Sequence, residues 1–73
     1  MESKKDKFVR IAEARTNKII DMIRLLGNCS NKASYEYSKE DVRKIFTAIE
    51  NELNAAKAKF DSSSDDSIKF KLK

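Results

Sequence analysis

Between Lys4 and Leu26 the apolar residues Phe8, Ile11, Ala12, Ile19, Met22, Ile23 and Leu26 recur every three or four positions. That spacing puts them on one face of an α-helix. Arg15 and Thr16 interrupt the stripe at its middle. Gly27 follows the last periodic residue, where helices commonly end on a left-handed residue, so the first helix is predicted over about 4–26. A second stripe, Val42, Ile45, Phe46, Ile49, Leu53, Ala56 and Phe60, predicts a helix over about 39–60.

The second helix has a clear start signal. Ser38 can accept from the backbone N–H of Asp41, and Asp41 can reach back in part, a shortened capping box. Glu40 and Asp41 sit against the positive end of the helix dipole. Tyr37 directly precedes the cap and Val42 lies four residues after it, the arrangement of a hydrophobic staple. Tyr35 has no such local duty. It is left to pack on Leu25 or Leu26, to pair with Phe70, or to face a partner.

The segment between the helices, 27–38, is rich in Ser and Asn, with Lys32 among them, and reads as a loop. Beyond the second helix, residues 61–67 are only Ser and Asp and read as a linker. In 68–73, Ile68, Phe70 and Leu72 alternate with Lys69, Lys71 and Lys73. That is strand periodicity, too short to stand alone. The segment is expected as a short C-terminal strand, paired at the loop around Tyr35, or as a flexible tail.

The predicted fold is all-α. Residues 1–60 form an antiparallel two-helix hairpin. Such a hairpin leaves half of each apolar stripe uncovered, and the expected solution is a homodimer, a four-helix bundle. The competing solution is a monomer whose tail and tyrosine loop cover the seam. With 73 residues the chain is one small domain that holds little core of its own. No proline and a single glycine favour long helices.

Charge brings in the candidate chemistry. Sixteen Lys and Arg against twelve Asp and Glu give a net charge of +4, and the pI is near 9.3. A basic balance of this size favours acidic partners. The first helix carries much of it, and Arg10, Asn17 and Arg24 recur every seven residues on its outer face. Such a row can follow a phosphate backbone, with Asn17 as a polar reader, Lys18 beside it and Lys32 extending it from the loop. Glu13 and Asp21 interrupt the row, as they would on an ordinary solvated face. Two helical ion pairs are expected, Asp6–Arg10 and Glu40–Lys44. Arg15 is expected to lay its stem on apolar surface and pair its head with Glu52.

Other chemistry finds little material. There is no histidine and only Cys29 as a thiol, so neither a Cys/His zinc site nor an activated nucleophile can be built. No catalytic residues, cofactor, metal or small-molecule substrate are expected. No apolar run approaches the ~18 residues of a membrane span, and the charged N-terminus leads into no signal core. The expected location is the cytoplasm, with Cys29 reduced.

The function expected from these residues is that of a small non-catalytic binding protein, with DNA or RNA as its partner. The alternative is a protein-interaction module, an inhibitor or accessory subunit, that uses Tyr35, Ile68, Phe70 and Leu72.

The run "NKIIDMIRLLGNCSNKASYEYSKEDVRKIFTAIENEL", followed by "AKAKF", resembles a group of small uncharacterised bacterial proteins. Its members share a basic helix, an I-R-L-x-G-N-x-S-N turn, a Y-x-Y-[ST] loop and a second helix. The resemblance covers about Asn17 to Phe60, plus a short F-x-L ending, and implies a bacterial helical hairpin of Gram-positive origin, with no activity attached. The design is also similar in architecture to the dimeric helical-hairpin RNA binders of plasmid copy control. That likeness extends to no motif.

Overall fold

The computed structural model describes residues 1–63. Over these residues the chain is helical, with no strand. Helix α1 spans Lys4–Gly27, a 3-10 turn spans Asn28–Ser30, and α2 spans Lys39–Ser63. The chain divides into two units, Met1–Glu36 and Tyr37–Lys73, each described by itself. The strand-like segment with Ile68, Phe70 and Leu72 lies outside the described residues.

In the first unit, Ser3 starts α1. Its backbone is extended, its Oγ accepts from the N–H of Asp6 at 3.0 Å, and its carbonyl accepts from Lys7 at 2.9 Å. The hydroxyl thus satisfies one of the orphan donors of the first turn. The far end departs from expectation. Gly27 is not left-handed: at φ −59° and ψ −30° it is ordinary helix. Asn28 is also right-handed, and its N–H is shared among the carbonyls of Arg24, Leu25 and Leu26. The helix therefore ends by tightening into the 3-10 turn, which uses up its last carbonyls without a left-handed residue.

Asn31 then turns the chain. It is extended, at φ −69° and ψ 103°. Its Oδ1 accepts from Ala33 at 3.0 Å, and its carbonyl accepts from Ser34 and Tyr35 at 3.1 and 3.0 Å. An asparagine side chain that bonds two residues ahead is a turn-forming device of its own.

In the second unit, Ser38 and Asp41 form a complete reciprocal cap. Asp41 N–H donates to Ser38 Oγ at 3.0 Å, and Ser38 N–H donates to Asp41 Oδ2 at 2.8 Å. The expected partial reach-back is a full bond, because the shorter aspartate still spans one turn. At the other end α2 continues through Asp61, Ser62 and Ser63, past the expected end at Phe60. The Ser62 hydroxyl donates to the Lys59 carbonyl at 3.3 Å and occupies an acceptor of that last turn.

On each helix the apolar stripe is partly exposed. None of the described residues is buried. Ile11, Ala12 and Leu26 on α1 and Val42 and Ile49 on α2 are half-buried. Around them Ile19 is 59 % exposed, Met22 58 %, Leu53 55 % and Phe60 64 %.

Candidate nucleic-acid interface

The outer face of α1 is built from the helix repeat. Asn17 lies nine residues from Phe8 and nine from Leu26, two and a half turns in each direction. It therefore stands opposite the apolar stripe. Arg10 and Arg24, seven residues to either side, drift from it by only ~20° each. Arg10 and Arg24 are ~21 Å apart along the axis at 1.5 Å per residue. All three are exposed, as is Lys18 on the flank. The row and the apolar stripe thus lie on opposite sides of α1.

Arg10 does not pair with Asp6. Its Nε donates to Glu2 Oε2 at 2.7 Å and its Nη2 to Glu2 Oε1 at 3.0 Å. Both carboxylate oxygens meet the planar guanidinium fork, the strong geometry for such a pair. The Arg10 hydrogen bond holds the Glu2 carboxyl below its ordinary pKa, and the same bond raises the pKa of Arg10. The i,i+4 rule misses this pair, because Glu2 lies outside the helix. The signal was the serine that follows it: Ser3-Lys4-Lys5-Asp6 repeats the pattern of Ser38-Lys39-Glu40-Asp41 and marks a helix start, with Glu2 just ahead of the cap.

Glu40 likewise pairs with Arg43, not with Lys44. Arg43 Nε donates to Glu40 Oε1 at 3.2 Å, and Arg43 Nη2 bonds Oε2. The choice follows the fork again, since a lysine offers only a point charge.

The remaining candidates among the described residues, Lys32 and Tyr35, lie in the first unit. Lys32 is exposed in the Asn31 turn, and Tyr35 is 53 % exposed at its end. Cys29 is a free, exposed thiol in the 3-10 turn. Tyr37, by contrast, is half-buried before the α2 cap, as is Val42, which fits the staple. Among the described residues no three of His, Cys, Asp and Glu are grouped to hold a metal ion. No helix among them is long and apolar enough to cross a membrane.

Compared with known proteins, the chain matches no family model, no curated protein and no solved structure.

Proposed function

We propose that this protein is a small, non-catalytic cytoplasmic binding protein that contacts nucleic acid through the outer face of α1. In this reading the two helices close as an antiparallel hairpin, and two hairpins join as a homodimeric four-helix bundle. The observation that carries the reading is the opposition on α1. The apolar stripe occupies one side, and Arg10, Asn17 and Arg24 occupy the other. Burying the stripe leaves a cationic row outward on each copy, and the two-fold axis doubles it. Arg24 and Arg10 supply charge, while Asn17 offers a donor and an acceptor to a base edge.

The test is binding to random-sequence duplex RNA and DNA across a salt series. Affinity is expected to fall steeply with salt, because bound cations release counterions from the phosphates. Arg10→Ala combined with Arg24→Ala should lower the salt slope by about two, roughly one per lost phosphate contact. No binding at low salt overturns this reading.

A second reading rests on Tyr35, a large aromatic left exposed at the end of an ordered turn. It makes the chain a protein-interaction module, with Tyr35 as the anchor. Binding to a protein that is lost in Tyr35→Ala and kept in the double arginine variant favours it.

A further inference from the structure

The middles of the two helices carry opposite charges that their own helices do not neutralise. Arg15 lies eleven residues from Lys4 and twelve from Gly27. Glu52 lies thirteen residues from Lys39 and eleven from Ser63. Each is thus ~16–20 Å from either end of its helix. Any full-length pairing of an α1 with an α2, parallel or antiparallel, brings them level.

The local charge balance is one-sided on each helix. From 14 to 20 the charged residues of α1 are Arg15 and Lys18, both positive. From 45 to 56 those of α2 are Glu50 and Glu52, both negative. Arg15 sits within the apolar stripe, seven residues from Phe8 and from Met22. Its helical neighbours at three and four residues are Ile11, Ala12, Lys18 and Ile19, none of them acidic. Those of Glu52 are Ala48, Ile49, Ala55 and Ala56, and those of Glu50 are Phe46, Thr47, Leu53 and Asn54. No base is among them.

The two glutamates are placed differently from the single arginine. Two residues apart, they are about 200° apart around the helix and flank the apolar stripe of α2 on both sides. A helix edged by an acid on each border suits a position between two α1 helices. One chain has only one α1, so the second must come from another copy.

We propose that a second copy of this chain covers the apolar faces, and that Arg15 of each copy meets Glu50 or Glu52 of the other in a charged layer across the middle of the bundle. The layer sets which helices pair and in what register. A charged pair inside an apolar seam is better suited to choosing a partner than to adding stability. A wrong register would leave Arg15 against apolar side chains with no acid near it. This inference rests on the two-chain association proposed above and is independent of nucleic-acid binding.

Charge reversal tests it. R15E places only acids in the layer, and E50R combined with E52R places only bases. Each variant alone should form its homodimer at least about tenfold more weakly than wild type, since like charges then face each other. Mixed in equal amounts, the two should form a heterodimer well above the statistical share, because opposite charges meet only between chains. Native mass spectrometry, with one chain isotope-labelled, reads the species directly. The triple variant R15E/E50R/E52R should dimerise like wild type. A wild-type dimer whose mixed variants exchange statistically overturns the layer and leaves the dimer standing. So does a triple variant that fails to associate. A wild-type chain that sediments at 8.4 kDa at micromolar concentration overturns the dimer and the layer together.

Discussion

Ser38 and Asp41 hold each other by two hydrogen bonds of opposite sense, 3.0 Å into the Ser38 hydroxyl and 2.8 Å into the Asp41 carboxylate. Two donors at the start of α2 are thereby satisfied by side chains three residues apart. Ser38→Ala should cost about 1 kcal/mol of stability, the usual loss for an N-cap serine. Urea melts followed by circular dichroism read it. Both proteins should be melted at the same protein concentration, which holds the contribution of the proposed dimer fixed. A Ser38→Ala melt that overlays wild type refutes the cap's role.

The Glu2–Arg10 pair gives a pH dependence of known sign. The folded form holds the Glu2 pKa below its ordinary value because Arg10 bonds the carboxylate. The stabilisation is therefore fully present above the ordinary glutamate pKa. It is lost as pH falls through the lowered one. A carboxyl NMR titration should place Glu2 below the usual range and return it to that range in Arg10→Ala. If Arg10 contacts phosphate as proposed, the pair would compete for the guanidinium, and Glu2→Gln should strengthen nucleic-acid binding. Weaker binding in Glu2→Gln would contradict that competition.

Gly27 lies in right-handed helix, and a Cβ added there meets nothing within 4 Å. Its conformational freedom is thus spent in a place that needs none. Gly27→Ala should stabilise the protein by about 0.4–1 kcal/mol, mainly by restricting the unfolded chain. A destabilised Gly27→Ala would indicate a left-handed conformation at that position after all.

The two tyrosines should part company. Tyr37→Ala removes the half-buried residue ahead of the α2 cap and should cost about 1 kcal/mol, as for a lost capping contact. Tyr35→Ala removes an exposed ring and should stay within about 0.5 kcal/mol of wild type. Equal losses for both would mean that Tyr35 carries structure as well.

Helix existence was legible because both stripes keep the helical period over about five turns, and because Ser38 and Asp41 announce a start. The twin signal at Ser3 was equally legible but stood ahead of a run of lysines, without an apolar residue to draw attention to it. Helix ends were harder to read. Gly27 permits a left-handed stop without requiring one, and the shared Asn28 N–H supplied another way to finish. Asp61 to Ser63 are weak helix formers, yet the open carbonyls of a last turn still draw a hydroxyl such as Ser62. The ion pairs were misread for a third reason. Spacing rules count residues along a helix, while Glu2 reaches Arg10 from outside it, and Arg43 outcompetes Lys44 by the shape of its head group. The outer row of Arg10, Asn17 and Arg24 follows directly from spacing, since a helix fixes its own faces.

The two starts, Ser3 with Asp6 and Ser38 with Asp41, have a practical consequence. Each helix carries its own beginning: the Asn31 carbonyl accepts from Ser34 and Tyr35, and the α2 cap stands at Ser38. The boundary between the two units falls between Glu36 and Tyr37. Fragments 1–36 and 37–73 should each keep the start of their own helix, at Ser3 and at Ser38. Either helix start can therefore be altered without touching the side-chain cap of the other.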